Sequence, residues 1–148
     1  MNDILLNKAA TYASRCEHYE SEVREKLLAW GGTGEEADEI IAYLIEERYI
    51  DNQRYANSYV KDKFRFNHWG KYKISMMLRS KDIESEIIEE ALDQIDEEEY
   101  LERLQQILKD KLRSLKYSSE YEKKGKLIKF AQSRGFESGA ISKVIDSI

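Results

Sequence analysis

Apolar positions recur at helical spacing along almost the whole chain. Leu5, Ala9, Tyr12, Ala13 and Cys16 share one face of a first element, and Ile40, Ile41, Leu44 and Ile45 share one face of a third. Strand-like alternation is nowhere sustained. Helix starts fall where the pattern wants them: Thr33 with Glu36 and Ser119 with Glu122 have capping-box spacing, and Ser21 and Asp51 have the chemistry of N-caps. Helix stops are expected at Gly31-Gly32 and Arg134-Gly135, where glycine accepts the left-handed conformation that ends a helix.

The apolar pattern also repeats. Ile74, Met77, Leu78, Ile83, Ile87, Ile88, Ala91 and Leu92 return 53 residues later as Leu127, Phe130, Ala131, Phe136, Ala140, Ile141, Val144 and Ile145. A weaker copy lies 51 residues earlier, where Val23 and Leu27 stand for Ile74 and Leu78. The spacing predicts an all-α chain of three tandem three-helix repeats, residues 1–50, 51–95 and 96–148, each one longer helix followed by two shorter ones. Units this small hold poorly alone, so the expectation is that they stack into an elongated, slightly curved body.

Composition supports long helices with short joints, since the 148 residues include no proline and seven scattered glycines. Charge changes the picture more. The chain carries 24 basic and 29 acidic residues, a formal net charge of −5, yet positions 51 to 81 hold eight Lys or Arg against Asp51 and Asp62 alone. Residues 1–50 carry eleven acidic and five basic side chains, and residues 82–100 carry ten acidic and none basic. A basic, aromatic island inside an acidic chain is built to meet something negative.

Catalytic chemistry finds little to work with. There are two histidines and one cysteine, and no phosphate-binding glycine loop or nucleophile elbow. The run Asp96 to Glu99 reads as a solvated first helical turn favoured by the helix dipole, because it lacks the glycine and the alternation of a calcium loop. Cys16 is expected as a small buried hydrophobe with His18 facing elsewhere. No leader and no long apolar run is seen, so the expected setting is a reducing cytoplasm, with no membrane, metal or cofactor.

Leu44-Ile-Glu-Glu-Arg-Tyr-Ile-Asp51, then Arg54-Tyr-Ala56, Tyr59-Val60, Trp69-Gly70-Lys71, Ile74, Leu78 and Lys81-Asp-Ile83, resembles, in order, the RecX regulators of the RecA recombinase. The flanks agree, with Ser21-Glu-Val-Arg24 and Lys26-Leu27 on one side and Phe130, Arg134-Gly-Phe136 and Ile141 on the other. The resemblance implies an all-helical, non-catalytic protein that lies along the RecA nucleoprotein filament, meets RecA and the DNA within it, and limits its activities. Two positions depart from the family pattern. Asp82 stands where a glycine is usual, at a turn that wants a left-handed residue, and Asp51-Asn52 keeps one charge of a customary acidic pair.

Within the island, the spacing of Arg54, Lys61 and Arg65 puts three cations on one helix face, with Lys63 off that line. Lys71 and Lys73 open the next helix, where cations oppose the dipole, and Trp69 precedes them in the turn. The candidate contacts are therefore Arg54, Lys61, Lys63, Arg65, Trp69, Lys71, Lys73 and Lys81, joined by Lys124, Lys126 and Arg134 from a second basic region. Tyr55, Ala56, Tyr59, Val60, Ile74 and Leu78 are assigned inward. Alternatives are a stand-alone DNA-binding patch, which the acidic flanks oppose, and a helical scaffold, which leaves the charge pattern unexplained. The protein is expected to be a monomer, with weak binding to free DNA at most.

Overall fold

The computed structural model describes residues 1–148, and they form nine α-helices with no strand. The first three are α1 (Asp3–Arg15), α2 (Glu20–Ala29) and α3 (Gly34–Glu46). Next come α4 (Asn52–Arg65), α5 (Lys71–Arg79) and α6 (Ser85–Leu92), then α7 (Glu97–Ser114), α8 (Glu120–Ser133) and α9 (Ser138–Val144), which runs into a 3-10 turn at Ile145–Ser147. The chain is thus a series of tandem three-helix repeats, as its periodicity predicts.

The repeat is visible in detail at the turn after the second helix of each group. Gly31, Asp82 and Gly135 occupy equivalent places and all have left-handed φ, of 92°, 60° and 91°. In each turn two amide N–H groups reach back to free helix carbonyls: Gly32 to Leu27, Ile83 to Leu78 and Phe136 to Ala131, with Gly31, Asp82 and Gly135 closing the inner bond. This satisfies the carbonyls that a helix end leaves open. Asp82 therefore holds the conformation its position demands.

Thr33 and Glu36 form the reciprocal capping box, and Asp51 caps α4 by accepting from the Arg54 N–H. Ser119 accepts from the Glu122 N–H, but the Glu122 carboxylate turns to Ser118 instead, so only half of that box forms. Ser21 is not a cap at all. Helix α2 starts at Glu20 behind Tyr19, and the Ser21 hydroxyl donates to the Lys81 carbonyl, 60 residues away. Helix lengths follow the long-short-short order only in the second and third groups, since α3 matches α1 at 13 residues. Cys16 is exposed, because α1 ends at Arg15, and its Sγ lies 3.4 Å from Nε2 of His18.

Two apolar cores hold the chain. Ten buried residues from Leu5 to Ile50 form one, and eighteen from Ala56 to Ile145 form the other. Helices α4 to α9 share this larger core. The rings of Phe64, Tyr100 and Phe136 lie in it side by side, tilted to one another, at centroid distances of 5.7 and 5.2 Å. Between the two cores the joints are mainly polar: Arg54 to Glu17 at 2.6 Å, the Glu20 N–H to Asn52 at 2.9 Å and Ser21 to Lys81 at 2.8 Å, with the Tyr19 ring against Tyr55.

Candidate binding surface

Helix α4 sets the stage. Tyr55, Tyr59 and Lys63 follow one another at four-residue spacing and so form a stripe along it. Ala56, Val60 and Phe64, one position further round, are buried beneath. Tyr55 and Tyr59 pack against the larger core, in keeping with their inward assignment, but are only half-buried. Their rings continue a row that starts at Tyr19 and ends at Trp69, with neighbouring centroids 5.1, 5.9 and 6.5 Å apart.

Three lysines lie over this row. Lys81 Nζ sits 4.8 Å from the Tyr19 centroid and 5.7 Å from that of Tyr59. Lys63 is 5.4 Å from Tyr59 and 5.0 Å from Trp69, and Lys73 is 4.5 Å from Trp69. Each contact contributes roughly 0.5–1 kcal/mol at a solvent-facing site. None of the three ammonium groups joins an ion pair, although the chain has ten such pairs. Burial pushes the Tyr55 phenol up to about 12 and raises those of Tyr19 and Tyr59, so the row stays neutral beneath its cations.

The placement of Trp69 and Lys73 depends on the third repeat. Gly70 donates its N–H to the Arg134 carbonyl at 2.7 Å and Tyr72 donates to the Gly135 carbonyl at 3.0 Å, so the α4–α5 joint lies backbone to backbone on the α8–α9 turn. The Lys71 N–H donates to the Tyr100 hydroxyl at 2.9 Å, and that hydroxyl donates to Glu137. Desolvation raises the Tyr100 phenol well above its ordinary value, and the Glu137 bond adds to the effect. The start of α5 is therefore capped by another unit, which answers much of the puzzle of cations at that end. Lys71 itself lies over the Tyr100 ring at 4.6 Å and 3.7 Å from Glu97.

The other candidates are divided. Arg54 pairs with Glu17 and also donates to the Arg48 carbonyl, so it serves the joint between the two cores. Lys61 and Arg65 are exposed, but at helical pitch they face roughly away from the Tyr55 stripe and line a shallow hollow with Gln94 and Glu99. Lys124 pairs with Asp146 at 2.6 Å, and Lys126 with Glu122 at 3.0 Å. Arg134 lies over the Phe130 ring at 5.3 Å. The structure thus brings Lys63, Trp69, Lys73 and Lys81 together and disperses the rest. Tyr19, Tyr55 and Tyr59 belong with the four but were missed. The four-residue stripe of two tyrosines and a lysine was the signal that could have found the α4 pair.

Three-helix groups in tandem, the second and third sharing one core, define an all-α repeat protein, and known proteins of this build are close at hand. Residues 51–92 match the family model for the second three-helix domain of RecX, and residues 97–145 match that for the third. The regulatory protein RecX of Prosthecochloris aestuarii is 31% identical over 143 residues, covering 97% of this chain and 92% of that one. The Clostridium botulinum (strain Eklund 17B / Type B) protein of the same name is 33% identical over 128 residues, but this chain spans only 59% of its length. The crystal structure of RecX from Lactobacillus salivarius superposes with a TM-score of 0.92 at 25% identity, over 98% of this chain and 94% of the other. The chain belongs to the RecX family. No helix in it is long and apolar enough to cross a membrane.

Proposed function

We propose that the chain binds the RecA nucleoprotein filament and restrains the recombinase in DNA repair and recombination, acting as a non-catalytic cytoplasmic monomer. The observation that carries this reading is the row Tyr19, Tyr55, Tyr59 and Trp69 under the unpaired Lys63, Lys73 and Lys81. Three free cations over a row of aromatic rings suit a surface that offers phosphates and carboxylates together, and a DNA-filled protein filament does. The net charge of −5 opposes strong binding to bare DNA, where acidic segments repel phosphate along the rest of the contact. Units at residues 1–50, 51–95 and 96–148 would spread the contact along the filament.

The test is inhibition of RecA ATP hydrolysis on single-stranded DNA by the variant K63E/K73E/K81E. Half-inhibition is expected to need at least about tenfold more protein, with helicity unchanged, because each reversal replaces attraction by repulsion at an interface. A K124E/K126E control should shift it by less than about threefold, since those lysines are already paired with Asp146 and Glu122. Undiminished inhibition by the folded triple variant would overturn the reading. Tight binding of the wild type to bare duplex at physiological salt would favour a stand-alone DNA-binding protein instead.

A further inference from the structure

We infer that the groove between α7 and α8 is a second docking site, separate from the Tyr19 to Trp69 row, and that it takes an acidic peptide segment of a partner protein with an apolar side chain among its carboxylates. The groove encloses about 350 Å³. Ile107 and Phe130 form its apolar part, and Arg103, Lys111, Arg134 and His68 surround them. Lys111 Nζ stands 5.0 Å from the Phe130 centroid and the Arg134 guanidinium 5.3 Å from it. Neither enters an ion pair, whereas Arg103 is turned to Glu99 at 3.6 Å. The one carboxylate in the lining, Asp110, accepts from Gln106 at 2.9 Å and lies 3.7 Å from Arg113 on the solvent side, so it leaves Lys111 and Arg134 uncompensated.

Two uncompensated cations over an apolar patch, in a chain of net charge −5, describe a complement for carboxylates flanking a hydrophobic residue. A nucleic-acid strand fits less well. Stacking of a base needs an open ring face, and the Phe130 ring already carries Lys111 and Arg134. A peptide carboxylate instead pairs with those cations where they stand, while its apolar neighbour reaches Ile107 and Phe130. The position of His68, in the α4–α5 joint with φ of 57°, puts the groove at the seam between the second and third three-helix groups.

The probe is a fluorescein-labelled peptide, Glu-Glu-Asp-Phe-Glu-Glu-Leu-Glu-Asp-Glu, titrated into the full chain, with amide chemical shifts followed in parallel. Binding should shift the amides of Gln106, Ile107, Lys111 and Phe130. K111E/R134E should weaken it by about tenfold or more, as expected when two ion pairs become repulsions. The row variant K63E/K73E/K81E should bind the peptide within about threefold of wild type, since none of these three lysines lines the groove. A matched peptide with Gln and Asn for Glu and Asp should not bind. No shift at these amides, equal binding by K111E/R134E, or tighter occupation of the groove by a ten-nucleotide oligo-dT would overturn the inference. None of these outcomes depends on RecA, so they are read independently of the inhibition assay.

Discussion

Gly70→Ala offers the sharpest test of how the second and third three-helix groups are joined. The backbone of Gly70, with φ of −82° and ψ of 169°, is open to any residue, so conformation alone gives no penalty. Space does. A Cβ at this position would lie 2.5 Å from the carbon and oxygen of Gly135 and from the nitrogen of Phe136. All three are backbone atoms that cannot rotate away, so the joint must part by roughly 1 Å to reach ordinary van der Waals contact. That movement breaks the bonds from Gly70 to Arg134 at 2.7 Å and from Tyr72 to Gly135 at 3.0 Å. Two lost bonds at about 1 kcal/mol each, with some loss of core contact, make about 3 kcal/mol. In a chain of this size that lowers the thermal midpoint by about 6–12 °C in a calorimetric or circular-dichroism melt. Gly125→Ala is the matched control. Gly125 lies inside α8 with nothing within 4 Å of an added Cβ, so alanine should stabilise by roughly 0.5–1 kcal/mol. A Gly70→Ala melt within about 2 °C of wild type would refute this account of the joint.

Tyr100→Phe removes the hydroxyl that serves both the Lys71 N–H and Glu137. It should cost about 1–3 kcal/mol by chemical denaturation and leave the amide of Lys71 exchanging faster than in wild type. The residues 51–148, expressed alone, should fold cooperatively by circular dichroism, because their eighteen-residue core takes no buried residue from before Ala56. An unfolded fragment would show that the polar joints to Glu17, Glu20 and Ser21 matter more than the cores. Glu122 should titrate near pH 2, held down by its bonds to Ser118 and then by Lys126. A depressed carboxylate supports the folded state above the ordinary glutamate value and loses that support as pH falls toward 2. The start of α8 should therefore fray across that window in an NMR titration, and Ser118→Ala should move the Glu122 midpoint upward.

The fold was largely legible because its signals are local. The 51- and 53-residue spacing located Val23, Ile74 and Leu127, and all three are buried in equivalent second helices. The family resemblance implies a left-handed residue at Asp82, where a glycine is usual, and Asp82 is one. Cys16 went wrong because α1 stops one residue short of it, which turns the next apolar position on the pattern into an exposed cap. Ser21 is no cap because α2 starts one residue before it, and its hydroxyl donates to the distant Lys81 carbonyl instead.

The candidate surface was legible only in its sign. Charge counting identifies an island but not which cations are already taken, and that depends on partners far along the chain. Arg54 meets Glu17 and Lys124 meets Asp146 only after folding. The aromatic row is assembled from Tyr19, two residues of α4 and the Trp69 turn, so no single window of sequence contains it. What sequence could show was the stripe of Tyr55, Tyr59 and Lys63, whose spacing reads equally well as a core seam.

The most direct measurement is the affinity of the fluorescently labelled chain for three targets at physiological salt: a RecA filament on single-stranded DNA, the same DNA bare, and RecA without DNA. Tight binding to the filament that falls at least about tenfold in K63E/K73E/K81E, with weak binding to bare DNA, is the result predicted here. Equal affinity of wild type and triple variant for the filament would contradict it.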